Sequence, residues 1–402
     1  MKRAIVLFLL WIAMCGFPLN PFGCSTVGKD VVVFTAVGAS FGTADLIDLE
    51  FLPGTGGEAV VIGKNGTVFY MTKDFAPLAQ TVTVGILDDD EQGLLNVVAD
   101  PGYADNHFIY LYGTLPTGDG NHLGRYTVAA DVASGTFQLT DPQAVEIFFK
   151  TDSPDFDGHH NGGGLVFGSD GAIYLGVGDG GGSAGEDTIL ALAQDGTNPL
   201  GKIHRIIPNR NLGEGGALIS EIHGRGFRNP FTLAVGPAGL FVGDVGSTRV
   251  EEVNLLPEPA LNFGWPLVEG PSSLFNFVNP LQSYEHTDNT FAKEDPTESD
   301  FDVIEGDVDE AEIGPQSVIV GAFYESGQYA GALDGRLIYS DFFLGWVRGF
   351  KLKENDDGVE IEDDKHLGHL NGLTSLQLGP DGFLYAISLF GSDHVLRVDL
   401  AE

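Results

Sequence analysis

A short unit recurs along this chain: a few apolar residues, a tight turn ending in glycine, then an apolar strand rich in aromatic residues. It reads AVVIGKNGTVFYMT from Ala59, LLNVVADPGYADNHFIYLYGT from Leu94 and GGLVFGSDGAIYLGVGD from Gly163. It returns as TLAVGPAGLFVGDVG from Thr232, as SVIVGAFY from Ser317 leading to LDGRLIYSDF from Leu333, and as TSLQLGPDGFLYAIS from Thr374. Asn-Gly, Asp-Gly and Ala-Gly stand in the turns, so each unit reads as a β-hairpin. A single four-stranded blade cannot bury both of its faces, but blades set in a ring cover one another. The six units therefore predict an all-β chain folded as a six-bladed β-propeller. At roughly 65 residues per unit the blades must carry long loops, and loops on one face of a rigid scaffold are where sites are built.

Helical signals are few. EDTILALAQD, Glu186 to Asp195, reads as a short helix or turn. Residues 272–314 are acidic and poor in strand pattern, with EDPTESDFDVIEGDVDEAE inside them. They read as a solvated surface excursion between blades, without the ligand spacing of an EF-hand loop.

Charge removes several functions. The chain has 20 Lys and Arg against 57 Asp and Glu, a net charge of −37. Binding to nucleic-acid phosphates or to an anionic membrane surface calls for a surplus of cations, and here acids outnumber them, so neither is an expected partner. Lys2 and Arg3 precede the apolar run AIVLFLLWIAM, Ala4 to Met14, which is too short to span a bilayer comfortably and reads as an export signal. No later stretch of sequence has the length and apolarity of a transmembrane span. The expected organisation is a leader over residues 1–24 and a single propeller domain over 25–402, located in the periplasm or outside the cell. Cys15 falls inside the leader, so no intrachain disulfide is expected. Cys24 is a candidate for lipid anchoring, although Pro21 stands where an aliphatic residue is usual.

Two stretches carry candidate chemistry. GHHNGGGLVFGSDGAIYLGVGDGGG, Gly158 to Gly182, sets His159 and His160 beside backbone stripped of side chains. Histidine moves protons near neutral pH, and glycine permits close backbone approach. Successive strand residues point to opposite faces, which argues against shared metal binding by the pair. In EIHGRGFRNPFTLAVGPAGLFVGDVG, Arg228 and Asn229 stand at the start of a repeat strand. Arg228 reads either as a clamp for a carboxylate or developing anion, or as the structural partner of an acid such as Asp244.

In order and approximate spacing, GGGLVFGSDGAIYLGVGDGG, AQDGTNPLGKIHRI, GFRNPFTLAVGPAGLFVGDVG, EEVN and NFGWPLVEG resemble the soluble quinoprotein glucose/sorbosone dehydrogenase family. EQGLLNVVADPGYADNHFIYLYGT matches the element upstream. The resemblance implies a six-bladed propeller carrying pyrroloquinoline quinone (PQQ) and calcium on one face, and oxidation of a sugar at its anomeric hydroxyl. It implies that His160 is the catalytic base, that Arg228 polarises the quinone, and that Asn229 binds the cofactor beside it. It further implies that the carbonyls of Gly246 and Ser247 bind calcium, and that Glu91, Gln92 and His159 lie near the sugar. The electron acceptor is not readable. Family members also carry a lysine in the fifth blade and an Arg-x-Arg pair opening the sixth. Here Phe343, Leu373 and Ser375 stand near those positions, with Arg348 and Lys351 displaced. That departure predicts weakened PQQ binding. It also favours a second reading, a propeller that binds carbohydrate or protein without redox chemistry; a propeller lactonase with a central metal is the third.

Overall fold

The computed structural model describes residues 30–401 except 44, 117–119, 149–157, 182–191, 209–218, 274–275, 287–315, 356–357 and 391. Six separate antiparallel sheets account for nearly all of its regular structure. Blade 1 comprises Leu46–Phe51, Ala59–Gly63, Thr67–Met71 and Val82–Thr83. Blade 2 comprises Leu94–Ala99, Phe108–Thr114, Asn121–Asp131 and Thr136–Phe148. Blade 3 holds Leu165–Phe167, Ile173–Val177, Lys202–Ile207 and Ile219–Arg225, with Leu261–Asn262 added in parallel at its edge. Blade 4 holds Pro230–Gly236, Gly239–Asp244, Val250–Leu256 and Gln282–Glu285. Blade 5 holds Val318–Tyr324, Arg336–Asp341, Trp346–Asn355 and Gly358–His369. Blade 6 is built from Leu373–Leu378, Leu384–Ser388 and Val395–Leu400. Its outermost strand is Val32–Val37, from the other end of the chain, paired antiparallel to Val395–Leu400.

The core follows from this arrangement. Among the described residues the buried apolar side chains fall into six clusters, and each joins one pair of neighbouring blades. Val60 and Tyr70 of blade 1 meet Val97 and Ile109 of blade 2. At the other end Leu49 and Phe69 of blade 1 meet Tyr385 and Ile387 of blade 6, which closes the ring. Each blade is thus apolar on both faces, as a sheet covered on both sides must be.

The expected propeller is present, with two refinements. Five of the recurrent units are the first hairpin of a blade, but the unit from Ala59 is the hairpin between the second and third strands of blade 1. The acidic stretch from 272 is not wholly an excursion, because Gln282–Glu285 supplies the outer strand of blade 4. Residues 274–275 and 287–314 of it lie outside the described residues, as do the leader and most of the Glu186–Asp195 segment. Within the units, the Asp-Gly turn is pinned by the strand that follows. Asp170 Oδ1 accepts the Ala172 amide and its Oδ2 accepts the Tyr174 hydroxyl. Asp381 does the same with Phe383 and Tyr385. The aromatic residue of the repeat therefore serves the turn as well as the core.

Strand direction decides where a site can form. The segment entering the first strand of a blade and the turn between its second and third strands emerge on the same face. Residues far apart in sequence gather there around the channel axis.

Candidate active site at the channel mouth

A cavity of about 380 Å³ opens on that face. Its wall takes Ile47 and Lys64 from blade 1, Glu91 and Leu95 from blade 2, and His160 to Gly162 from blade 3. Blade 4 adds Arg228, Asn229, Phe231, Val245 and Gly246, blade 5 adds Gln316, Ser317, Phe342 and Phe343, and blade 6 adds Thr374 and Leu389.

His160 stands at the blade 3 side in the left-handed region, with φ at 50°. A residue with a Cβ seldom occupies that region unless its surroundings impose it. Glu91 Oε2 accepts the His160 amide at 2.7 Å, which fixes the strained residue from blade 2. The glycines serve the protein's own packing first. A side chain on Gly178 would collide with the His160 carbonyl, and one on Gly162 with the Gly176 carbonyl. The glycine run lets the segment from His160 lie directly on the second strand of blade 3.

The imidazole is held at both nitrogens. Nδ1 lies 2.6 Å from Asp179 Oδ1, and Nε2 lies 2.7 Å from Arg228 Nη2. A guanidinium only donates, so Nε2 is the acceptor and Nδ1 carries the proton that Asp179 receives. Asp179 is buried and aligned by two further donors, Gly181 N to Oδ1 and Trp265 Nε1 to Oδ2. Burial pushes its carboxyl up, but the His160 hydrogen bond, the Gly181 amide and the Arg228 charge outweigh burial and leave it below its ordinary value. The outcome is a fixed carboxylate–imidazole pair whose basic lone pair faces the cavity.

Arg228 sits over the Trp265 ring, 5.8 Å from its centroid. Its Nη1 donates to the carbonyls of Val245 at 2.9 Å and Gly246 at 2.5 Å. Asp244 is not the partner of its guanidinium. That buried carboxyl accepts the main-chain amides of Arg228 and Asn229. Burial, then the nearby Glu252, push the Asp244 carboxyl well above its usual range. Asn229 Oδ1 accepts the Gly162 amide at 2.9 Å, tying the blade 3 and blade 4 segments together. The structure thus brings His160, Arg228, Asn229, Gly246 and Glu91 to one cavity.

The other expected site residues sit at its margins. Ser247 is exposed, its amide on Glu269 Oε1. His159 pairs with Asp90 at 2.8 Å on the rim. Gln92 is buried beside Gly158, away from the cavity wall. Arg348 pairs with Asp364 inside blade 5 and does not reach the cavity. Sequence reading left Asp179, Trp265 and Lys64 without roles. A signal for Asp179 existed: VGDGG and VGDVG place an aspartate at the same point of two successive blades, where the second strand ends.

The family model for glucose/sorbosone dehydrogenases matches residues 44–391. The chain is 26% identical over 329 residues to the aldose sugar dehydrogenase YliI of Escherichia coli strain K12, covering 76% of each protein. It is 28% identical over 206 residues to quinoprotein glucose dehydrogenase B of Acinetobacter calcoaceticus, covering 45% of this chain and 41% of that protein. The fold is similar to that of the PQQ-bound aldose sugar dehydrogenase from Streptomyces coelicolor, with a TM-score of 0.66 at 21% identity over 94% of this chain and 100% of the other.

Proposed function

The chain belongs to the glucose/sorbosone dehydrogenase family, and on that premise we propose that it oxidises an aldose at its anomeric hydroxyl to the lactone, with PQQ as the acceptor. The carrying observation is the Asp179–His160–Arg228 chain in the cavity.

The donor set of the cavity suits a flat anionic ring system. Lys64 and Arg228 bring two positive charges against the one carboxylate of Glu91, while Asn229, Ser317 and Thr374 bring polar groups. Phe231, Phe342, Phe343 and Leu389 bring apolar surface. Gln316 Oε1 is buried there without a hydrogen-bond partner, and a buried acceptor gains by finding a donor. Arg228 and Asn229 would hold the quinone. The carbonyls of Gly246 and Ser247 would hold calcium, which takes hard oxygen ligands. PQQ, when bound, supplies the hydride acceptor.

The protein's own residues handle the proton. His160 Nε2 receives it from the anomeric hydroxyl, since Nδ1 is already protonated toward Asp179. Asp179 stabilises the imidazolium that results, as the carboxylate does in Ser-His-Asp triads. Arg228 Nη2 occupies the Nε2 lone pair in the structure, so the sugar hydroxyl has to displace it. Trp265 holds Asp179 and underlies Arg228, so one ring orients both partners of the histidine. We further propose that residues 25–402 form a single exported propeller domain, which cell fractionation would check, with mass spectrometry for a lipid on Cys24.

The test is PQQ titration with calcium, then dye reduction across a panel of aldoses. Aldose-dependent reduction that needs PQQ supports the reading. Folded protein that binds no PQQ at high cofactor and calcium concentrations overturns it, in favour of a propeller that binds without redox chemistry.

A further inference from the structure

The cavity wall is unevenly charged. Blades 5 and 6 contribute Gln316, Ser317, Phe342, Phe343, Thr374 and Leu389 to it, and no lysine or arginine among the described residues. Lys64 and Arg228 are its lysine and arginine, and they come from blades 1 and 4. In a ring of six, those blades face each other across the axis. An anionic ligand in a protein of net charge −37 needs local cations, because the general field repels it.

Lys64 is built into that wall. Its amide donates to Asp45 O and its carbonyl accepts the Leu94 amide, both at 2.8 Å, so the turn is fastened to blade 2. Its side chain is 20% exposed, and Nζ meets Asp88 Oδ1 at 2.5 Å. Asp88 is twice as exposed and lies in the acidic run Asp88 to Glu91. An exposed pair of this kind adds little stability by itself. It does hold the ammonium of a cavity-lining residue in a fixed place, on Asp88.

We infer that Lys64 anchors a carboxylate of the bound quinone from the blade 1 side, opposite Arg228, and that Asp88 competes for it. This rests on the proposed quinone chemistry of the cavity. It gives a physical reason why a wall without cations on blades 5 and 6 is tolerated: the anionic ligand is gripped between blades 1 and 4.

PQQ is titrated by absorbance into folded wild type, Lys64→Met, Lys64→Arg and Asp88→Asn, with calcium fixed, at low and high salt. Circular dichroism and melting confirm the fold of each. Lys64→Met should weaken binding about ten- to hundredfold, as loss of a charged hydrogen bond does, and should flatten its salt dependence. Lys64→Arg should stay near wild type, and Asp88→Asn should tighten binding. A Lys64→Met dissociation constant equal to wild type, or weaker binding by Asp88→Asn, overturns the inference while leaving the quinone reading intact. Failure of wild type itself to bind PQQ overturns both.

Discussion

Asp179 Oδ1 and Arg228 Nη2 bracket the His160 ring, and the role of each can be separated by substitution. Asp179→Asn can present an amide hydrogen to Nδ1, which moves the ring proton to Nε2 and removes the basic lone pair. Turnover should fall about 10²–10⁴-fold, the range a placed base contributes, and the melting temperature should drop as well, because the Gly181 amide that shares Oδ1 loses its acceptor. Because the carboxyl sits below its ordinary value of 3.8, its charge is lost only as pH falls below that point. The defect should therefore persist across the whole neutral range, which a pH–rate profile would show. Glu91 acts at one remove, through the His160 amide. Glu91→Ala should lower kcat with a smaller change in KM, and Glu91→Gln, which keeps an acceptor, should recover most of it. A Glu91→Ala effect confined to KM would make it a sugar contact. His160, Arg228 and Asn229 were legible in the sequence through the ordered motifs around them. Asp179 and Lys64 were not, because they owe their places to the channel mouth: one lies 19 positions from His160, the other on blade 1, across the axis from Arg228.

Hairpins were the most legible elements, since alternating apolar residues around Asp-Gly or Asn-Gly specify both strand and turn. Their phase within a blade was not legible. The Ala59 hairpin has the same pattern as the others yet fills a different place, because only packing against neighbouring blades distinguishes first strand from second. Lys202 shows another limit. It lies in the third strand of blade 3 and is completely buried. Its ammonium donates to the carbonyls of Leu192, Ala193 and Leu200, doing for that loop what a small bound cation does elsewhere. Burial lowers its pKa to about 8. Sequence reading saw only a lysine in GKIHRI. Lys202→Met should leave three carbonyls without this donor, at about 1–3 kcal/mol for each one left unsatisfied. The measurement is urea unfolding, with a lower midpoint expected; an unchanged midpoint would mean the loop finds other donors.

At the scale of the molecule, closure and charge oppose each other. Val32–Val37 completes blade 6 from the far end of the chain, so a chain beginning at Gly38 should lose cooperativity as well as stability. Against closure stands an excess of 37 negative charges, with some carboxyls held inside. Asp48 receives the Leu49 and Val97 amides where blades 1 and 2 meet, and burial raises it to about 6. Asp341 receives the Tyr284 hydroxyl and the Ser317 amide, and burial raises it likewise to about 6. For both, the ordinary value is 3.8, so between 3.8 and 6 the folded state binds more protons than the unfolded state. Stability must then fall as pH rises through that window. Carboxyls held low, such as Asp170 beside Arg205, act in the opposite sense, but their contribution is complete once pH exceeds 3.8. Taken alone, these carboxyls should lower the melting temperature by about 5 °C or more between pH 4 and pH 8, against the opposite pull of His204, which burial lowers from 6.5 to about 4 and which therefore costs stability as pH falls through that window. Salt separates the two causes. Repulsion among surface charges is screened over about 10 Å at 0.1 M, whereas the cost of ionising Asp48 and Asp341 inside the ring is not. Melting curves at 0.02 and 0.5 M salt, both rough settings on either side of that screening range, should draw together at pH 4–5 and stand apart at pH 8. A decline with pH must survive at high salt. If high salt abolishes it, surface repulsion alone governs the pH dependence, and the buried carboxyls of the blade junctions contribute nothing measurable to it.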